Sequence, residues 1–158
     1  MRIFVTVGTT QFDALISAVL FDPDLNSVFI EKNVTHLTLQ VGNSKFSSDI
    51  KKGTFRSIEL YKFSSNILPD IEEADLVISH AGAGSCFEVL CANKPLLIVV
   101  NEALMGNHQN ELADKLKSYA AVSSIDRLAQ TLKDYPFTKE PFPEGNPKAF
   151  SDFIESIF

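Results

Sequence analysis

The chain has 158 residues, enough for one domain with a sizeable core, and its 45% apolar and 22% charged content is that of an ordinary globular protein. Fourteen basic against twenty acidic residues leave a net charge of −6. That balance excludes sequence-independent nucleic-acid binding and a purely electrostatic hold on anionic lipid, both of which need clustered Lys and Arg. The longest unbroken apolar run, Leu96-Leu97-Ile98-Val99-Val100, falls far short of the ~20 residues that span a bilayer.

In chain order, residues 2–8 read as a buried strand ending in Gly8-Thr9-Thr10. Phe12, Leu15, Ile16, Val19 and Leu20 follow at helical spacing, and Asp22-Pro23-Asp24 reads as a turn. A second strand covers residues 35–41 and a third 57–63. Ser65 or Asn66 can cap a short helix carrying Ile67, Leu68 and Ile71. A strand over 75–79 leads through a small-residue turn into a helix that runs to about residue 92. Asn93-Lys94-Pro95 breaks that helix and opens a strand over 96–100. A helix over 107–119, a short strand over 121–123 and a helix over 126–135 complete the alternation. Strands alternating with helices define an α/β domain with a largely parallel sheet, whose ligands belong at the carboxyl ends of the strands.

Residues 136–147 contain four prolines and little periodicity, and read as an extended connector. Beyond them Ala149, Phe150, Phe153, Ile154, Ile157 and Phe158 form an apolar helical stripe that can dock on its own domain or grip a partner. The expected division is a nucleotide-binding domain over 1–135 and a connector with an amphipathic helix over 136–158. Arg2 leads at once into a strand pattern, so no secretory leader is expected. Cys86 and Cys91 fall inside one predicted helix as free thiols, in keeping with a reducing cytosol.

The segment Ile78-Ser79-His80-Ala81-Gly82-Ala83-Gly84-Ser85-Cys86-Phe87-Glu88 carries the chemistry. A strand, a turn of small residues and a helix start offer unpaired N–H groups and the positive end of a helix dipole to a phosphate or diphosphate. Glu88, one turn on, is placed to accept hydrogen bonds from a sugar attached to that phosphate. The dinucleotide fingerprint wants a third glycine where Phe87 stands, although Glu102 occupies the place of a ribose-binding acid. His80 is either a base in a cleft or a turn histidine packed beside the loop. No metal is expected, since His36, His80 and His108 lack the spacing of a helical zinc pair. The amides and carboxylates from Asn101 to Glu111 suit neutral hydroxyls and acetamides, or else form an ordinary polar loop capped by Asn107.

Val7-Gly8-Thr9-Thr10 with Phe12-Asp13, the 78–85 segment with Glu88, and Asn107-His108-Gln109 with Glu111-Leu112-Ala113 together resemble a known family. It is that of the small soluble subunit of the eukaryotic UDP-N-acetylglucosamine transferase of asparagine-linked glycosylation, itself similar to the C-terminal half of the bacterial peptidoglycan N-acetylglucosaminyltransferase. The resemblance covers about residues 1–134 and implies a Rossmann-like half of a GT-B glycosyltransferase. It implies transfer of N-acetylglucosamine from its UDP donor to N-acetylglucosaminyl-diphosphodolichol, on the cytosolic face of the endoplasmic reticulum, with no metal cofactor. A membrane-anchored partner subunit would hold the lipid acceptor and supply the general base. By motif, Gly82, Gly84 and Ser85 would bind the diphosphate, Thr9 and Thr10 would lie near it facing the partner, and Glu88 would hold the ribose hydroxyls. Gly8, His80, Ala81 and Ala83 would belong to the same donor-binding site. Phe63 would flank the uracil, and Asn107, His108 and Gln109 the donor sugar. Phe150, Phe153, Ile154, Ile157 and Phe158 would hold the partner. Asn110 departs from the less polar residue expected there. Two other readings stay open: an independent NAD- or nucleotide-binding enzyme, and an interaction subunit that keeps the fold without donor binding.

Overall fold

The computed structural model describes residues 1–103, 108–143, 151–152 and 155–156. Six parallel strands form one sheet: β1 (Arg2–Thr6), β2 (His36–Gln40), β3 (Ser57–Tyr61), β4 (Leu76–His80), β5 (Leu96–Val99) and β6 (Ala121–Ser123), in the order β3-β2-β1-β4-β5-β6. Among the described residues, the helices α1 (Asp13–Phe21), α2 (Pro23–Glu31), α3 (Leu68–Glu73), α4 (Ala83–Cys91), α5 (His108–Leu116) and α6 (Leu128–Lys133) connect or follow them. The chain adds strands to one side of β1 and then to the other, so the order reverses between β1 and β4, where a doubly wound sheet opens a crevice.

The period-two alternation of the strands divides the core into two layers. Ile3, Val5, Leu37, Leu39, Leu76, Ile78, Leu97 and Val99 face α1, α2 and α6, while Phe4, Val77, Leu96 and Ile98 face α3, α4 and α5. All five residues of β4 are buried, as expected of a central parallel strand covered on both faces. Each fully buried aliphatic or phenyl side chain contributes about 1.5–3 kcal/mol.

Four expectations need correction. Asp22-Pro23 ends one helix and starts another: Asp22 Oδ1 accepts the Leu25 N–H at 2.8 Å and Pro23 takes a first-turn position where its missing N–H costs nothing, so α2 stands where a turn was expected. Strand β3 stops at Tyr61, leaving Phe63 in the following loop. Strand β4 extends to His80, which is therefore a strand residue. The cap of α3 shifts by one position: Asn66 Oδ1 accepts the Leu68 N–H at 3.0 Å from just outside the helix.

The proline-rich connector is pinned to the domain through 143. Phe137 packs against the layer under α1, α2 and α6, Phe142 against the opposite layer, and the Glu140 N–H donates to the Ser118 carbonyl at 2.9 Å. Under this strap lies a cavity of about 260 Å³ between Leu90, Pro95, Tyr119 and Phe142, at the amino end of β5. Residues 151–152 and 155–156 are helical, and Lys115 Nζ donates to the Ser156 carbonyl at 2.6 Å. Phe150, Phe153, Ile154, Ile157 and Phe158 lie outside the described residues, as does Asn107. No described helix is long and apolar enough to cross a membrane.

Candidate functional site

At the carboxyl end of the sheet the loops after β1, β2 and β4 lock together. Gly8 adopts φ +60°, a left-handed conformation that favours glycine, and its N–H donates to Thr6 Oγ1 at 3.0 Å. Thr10 Oγ1 donates back to the Val7 carbonyl at 2.7 Å, closing the turn. The Thr10 carbonyl accepts the Asn43 N–H at 2.9 Å, and a Cβ at Gly42 would lie 2.3 Å from that carbonyl oxygen. The β1 turn is therefore held from two sides.

The turn after β4 supplies the electrostatics. Gly82 is the N-cap of α4, no side chain caps the helix, and no acid stands in its first turn. The first intrahelical bond is Cys86 N–H to the Gly82 carbonyl at 3.0 Å. The N–H groups of Ala83, Gly84 and Ser85 are thus left at the end of a dipole worth about half a positive charge. An oxyanion is the partner such an end accepts best.

The two glycines of this turn have different jobs. A Cβ on Gly82 would sit 2.2 Å from His80 Nε2, so this glycine makes room for the histidine ring. A Cβ on Gly84 would meet nothing within 4 Å, so its bareness serves open space at the helix start. The His80 ring also lies 3.0 Å from a notional Cβ on Gly8, wedged under both turns and only 7% exposed. Burial pushes its pKa below the ordinary 6.5, against a smaller upward pull from the Thr6 backbone, and its Nδ1 has no hydrogen-bond partner among the described residues. The ring is neutral at pH 7.

A cleft of about 520 Å³ opens on the α3 and α4 side of these turns. Gly8, Thr9, Ser85 and Glu88 line it, with Gln40 at its base and residues 64–68 as its far wall. The cleft combines an uncapped helix start, hydroxyls from Thr9 and Ser85, and one exposed carboxylate, Glu88. Such a set suits a phosphorylated ligand bearing a polyol. Among the described residues no group of three His, Cys, Asp or Glu side chains is clustered.

The remaining expected site residues are spread more widely. Ala81 turns its methyl into the core at 6% exposure, so only its backbone can meet a ligand. Phe63 is 51% exposed just outside the cleft wall that follows it. His108 opens α5 in solvent, 3.9 Å from Glu111. Gln109 Oε1 accepts the Asn101 N–H at 3.0 Å, which anchors α5 to the end of β5. Sequence reasoning missed Gln40 and used Ser65 and Asn66 only as caps. Gln40 reads as the polar member of an alternating strand, and nothing local marks the 64–68 loop as a wall.

The fold and these turns define a doubly wound α/β domain with an anion-suited cleft at its switch point. Residues 2–156 match the glycosyltransferase family 28 C-terminal domain, and the chain belongs to that family. The UDP-N-acetylglucosamine transferase subunit ALG13 of Cryptococcus neoformans is 30% identical over 191 aligned positions, covering 98% of this chain and 95% of that protein. The Mus musculus subunit of the same name is 45% identical over 115 residues, covering 73% of this chain. The chain spans 10% of the length of the mouse and human relatives. An NMR solution structure of ALG13 superposes with a TM-score of 0.71 at 28% identity, covering 99% of this chain and 96% of that one. MurG from Acinetobacter baumannii shares the fold at a TM-score of 0.59 and 19% identity, covering 84% of this chain and 39% of that one.

Proposed function

We propose that this chain is the donor-binding subunit of a transferase that moves N-acetylglucosamine from UDP-N-acetylglucosamine to N-acetylglucosaminyl-diphosphodolichol. The observation that carries the reading is the uncapped start of α4 opening on a cleft beside Gly8, Thr9 and Glu88. The ALG13 relatives, each a UDP-N-acetylglucosamine transferase subunit by name, support the sugar nucleotide. As the acceptor hydroxyl attacks the anomeric carbon, the bond to the diphosphate oxygen breaks and its electron pair leaves with UDP. The N–H groups of residues 83–85 and the helix dipole stabilise that growing charge, so the step needs no metal. Glu88 accepts the ribose hydroxyls, and Gln109, with His108, holds the donor sugar from the end of β5.

The acceptor's proton needs a base. His80 is buried beneath the turns, so the base comes from a membrane-anchored partner that also presents the lipid. The chain then works peripherally on the cytosolic face of the endoplasmic reticulum, with Phe150, Phe153, Ile154, Ile157 and Phe158 holding the partner. No particular observation favours an NAD enzyme, and Phe87 closes the position of the fingerprint's third glycine.

The test is reconstitution with the partner in microsomes and a radiolabelled donor. Transfer is expected only with both chains present, and to survive EDTA. Glu88→Ala is expected to lower kcat/KM at least about tenfold, the cost of a charge-assisted hydrogen bond. Undiminished transfer by Glu88→Ala would sink the role assigned to this cleft.

A further inference from the structure

Gln40 ends β2 beside Thr6 in the parallel register, on the sheet face that carries α3 and α4. It is only 4% exposed, although it borders the cleft. Its Oε1 accepts from Thr6 Oγ1 at 2.6 Å, and the same Oγ1 accepts the Gly8 N–H at 3.0 Å. A threonine hydroxyl has one proton to give. With that proton on Gln40, the amide oxygen faces Thr6 and the NH2 group faces the other way. Among the described residues no protein group accepts a hydrogen bond from that NH2, and it is not sealed from solvent. A buried amide fixed on one side and open to a cleft on the other is short of one acceptor.

Resting on the cleft being a nucleoside-diphosphate site, the geometry points to Gln40 as a fixed donor to the ligand. Its NH2 meets an acceptor oxygen, either a carbonyl of the base or an oxygen of the phosphates. The bonds Gly8 to Thr6 to Gln40 also tie this amide to the β1 turn. One side chain thereby sets the turn and reads the ligand together.

The test is calorimetric titration of the full chain and its variants with UDP, with fold checked by the amide NMR spectrum. Q40E keeps an oxygen for Thr6 and replaces the donor by a second oxygen. It is expected to bind UDP at least about tenfold more weakly, and its deficit should shrink as pH falls below about 5 and the carboxyl regains a proton to donate. Q40M, which removes both bonds without adding charge, is expected to lose a similar factor and replaces Q40E if that variant does not fold. T6V should weaken binding, and T6S, which keeps the hydroxyl, should restore it. Shift mapping with uridine and with inorganic pyrophosphate identifies the oxygen: the probe whose binding Q40E impairs carries it. A folded Q40E or Q40M that binds UDP within about twofold of the native chain, at every pH, overturns the assignment of Gln40 alone. A native chain that ignores UDP overturns it together with the cleft reading.

Discussion

Gly82 and Gly84 stand two residues apart and predict opposite phenotypes. Gly82→Ala drives a methyl into the His80 ring and is expected to cost about 1–3 kcal/mol, read as a fall in melting temperature. Gly84→Ala meets no neighbour, so folding is expected to be unchanged or improved by up to ~1 kcal/mol, while affinity for UDP falls. A Gly84→Ala chain that binds UDP normally would show that the open space is not ligand space. His80 supplies a pH signature. Its folded pKa is held below 6.5, so on acidification the unfolded chain takes up a proton before the folded chain does, and stability falls as pH drops through about 6.5. The loss continues down to the folded pKa. His80→Gln is expected to flatten that part of the melting-temperature profile, and an identical slope in both proteins would remove His80 as its source.

At the scale of elements, the strands and the glycine turn were legible because burial on both faces demands unbroken β-branched and aliphatic runs, and because a helix start after a strand leaves its signature in small residues. Helix α2 was not, since Asp-Pro serves equally to close a turn and to cap a new helix, and only the packing of Leu25, Val28 and Phe29 decides between them. Asp22→Ala tests that cap and is expected to cost about 1 kcal/mol, near 3 °C in a domain of this size. A change below about 0.3 kcal/mol would mean that Pro23 alone starts the helix. The cleft was half legible. Gly8, Thr9, Ser85 and Glu88 belong to motifs, whereas Gln40 and the 64–68 wall reach the cleft only through strand register and the path of a loop.

On the scale of the whole molecule, a sheet wound both ways from β1 places three loops at one crevice, and the strap over 136–143 ties both helical layers to its far end. Among the described residues, the cleft gathers Gly8, Thr9, Ser85 and Glu88 around ligand space, while His80 lies buried beneath the turns. The most direct measurement is amide chemical-shift mapping of the chain with UDP-N-acetylglucosamine, UDP and NADH, repeated on Glu88→Ala. Shifts at residues 8–9, 82–88 and 108–109 with the two uridine ligands, weakened by the substitution, are the predicted result. A response to NADH with silence toward both uridine ligands would contradict the account.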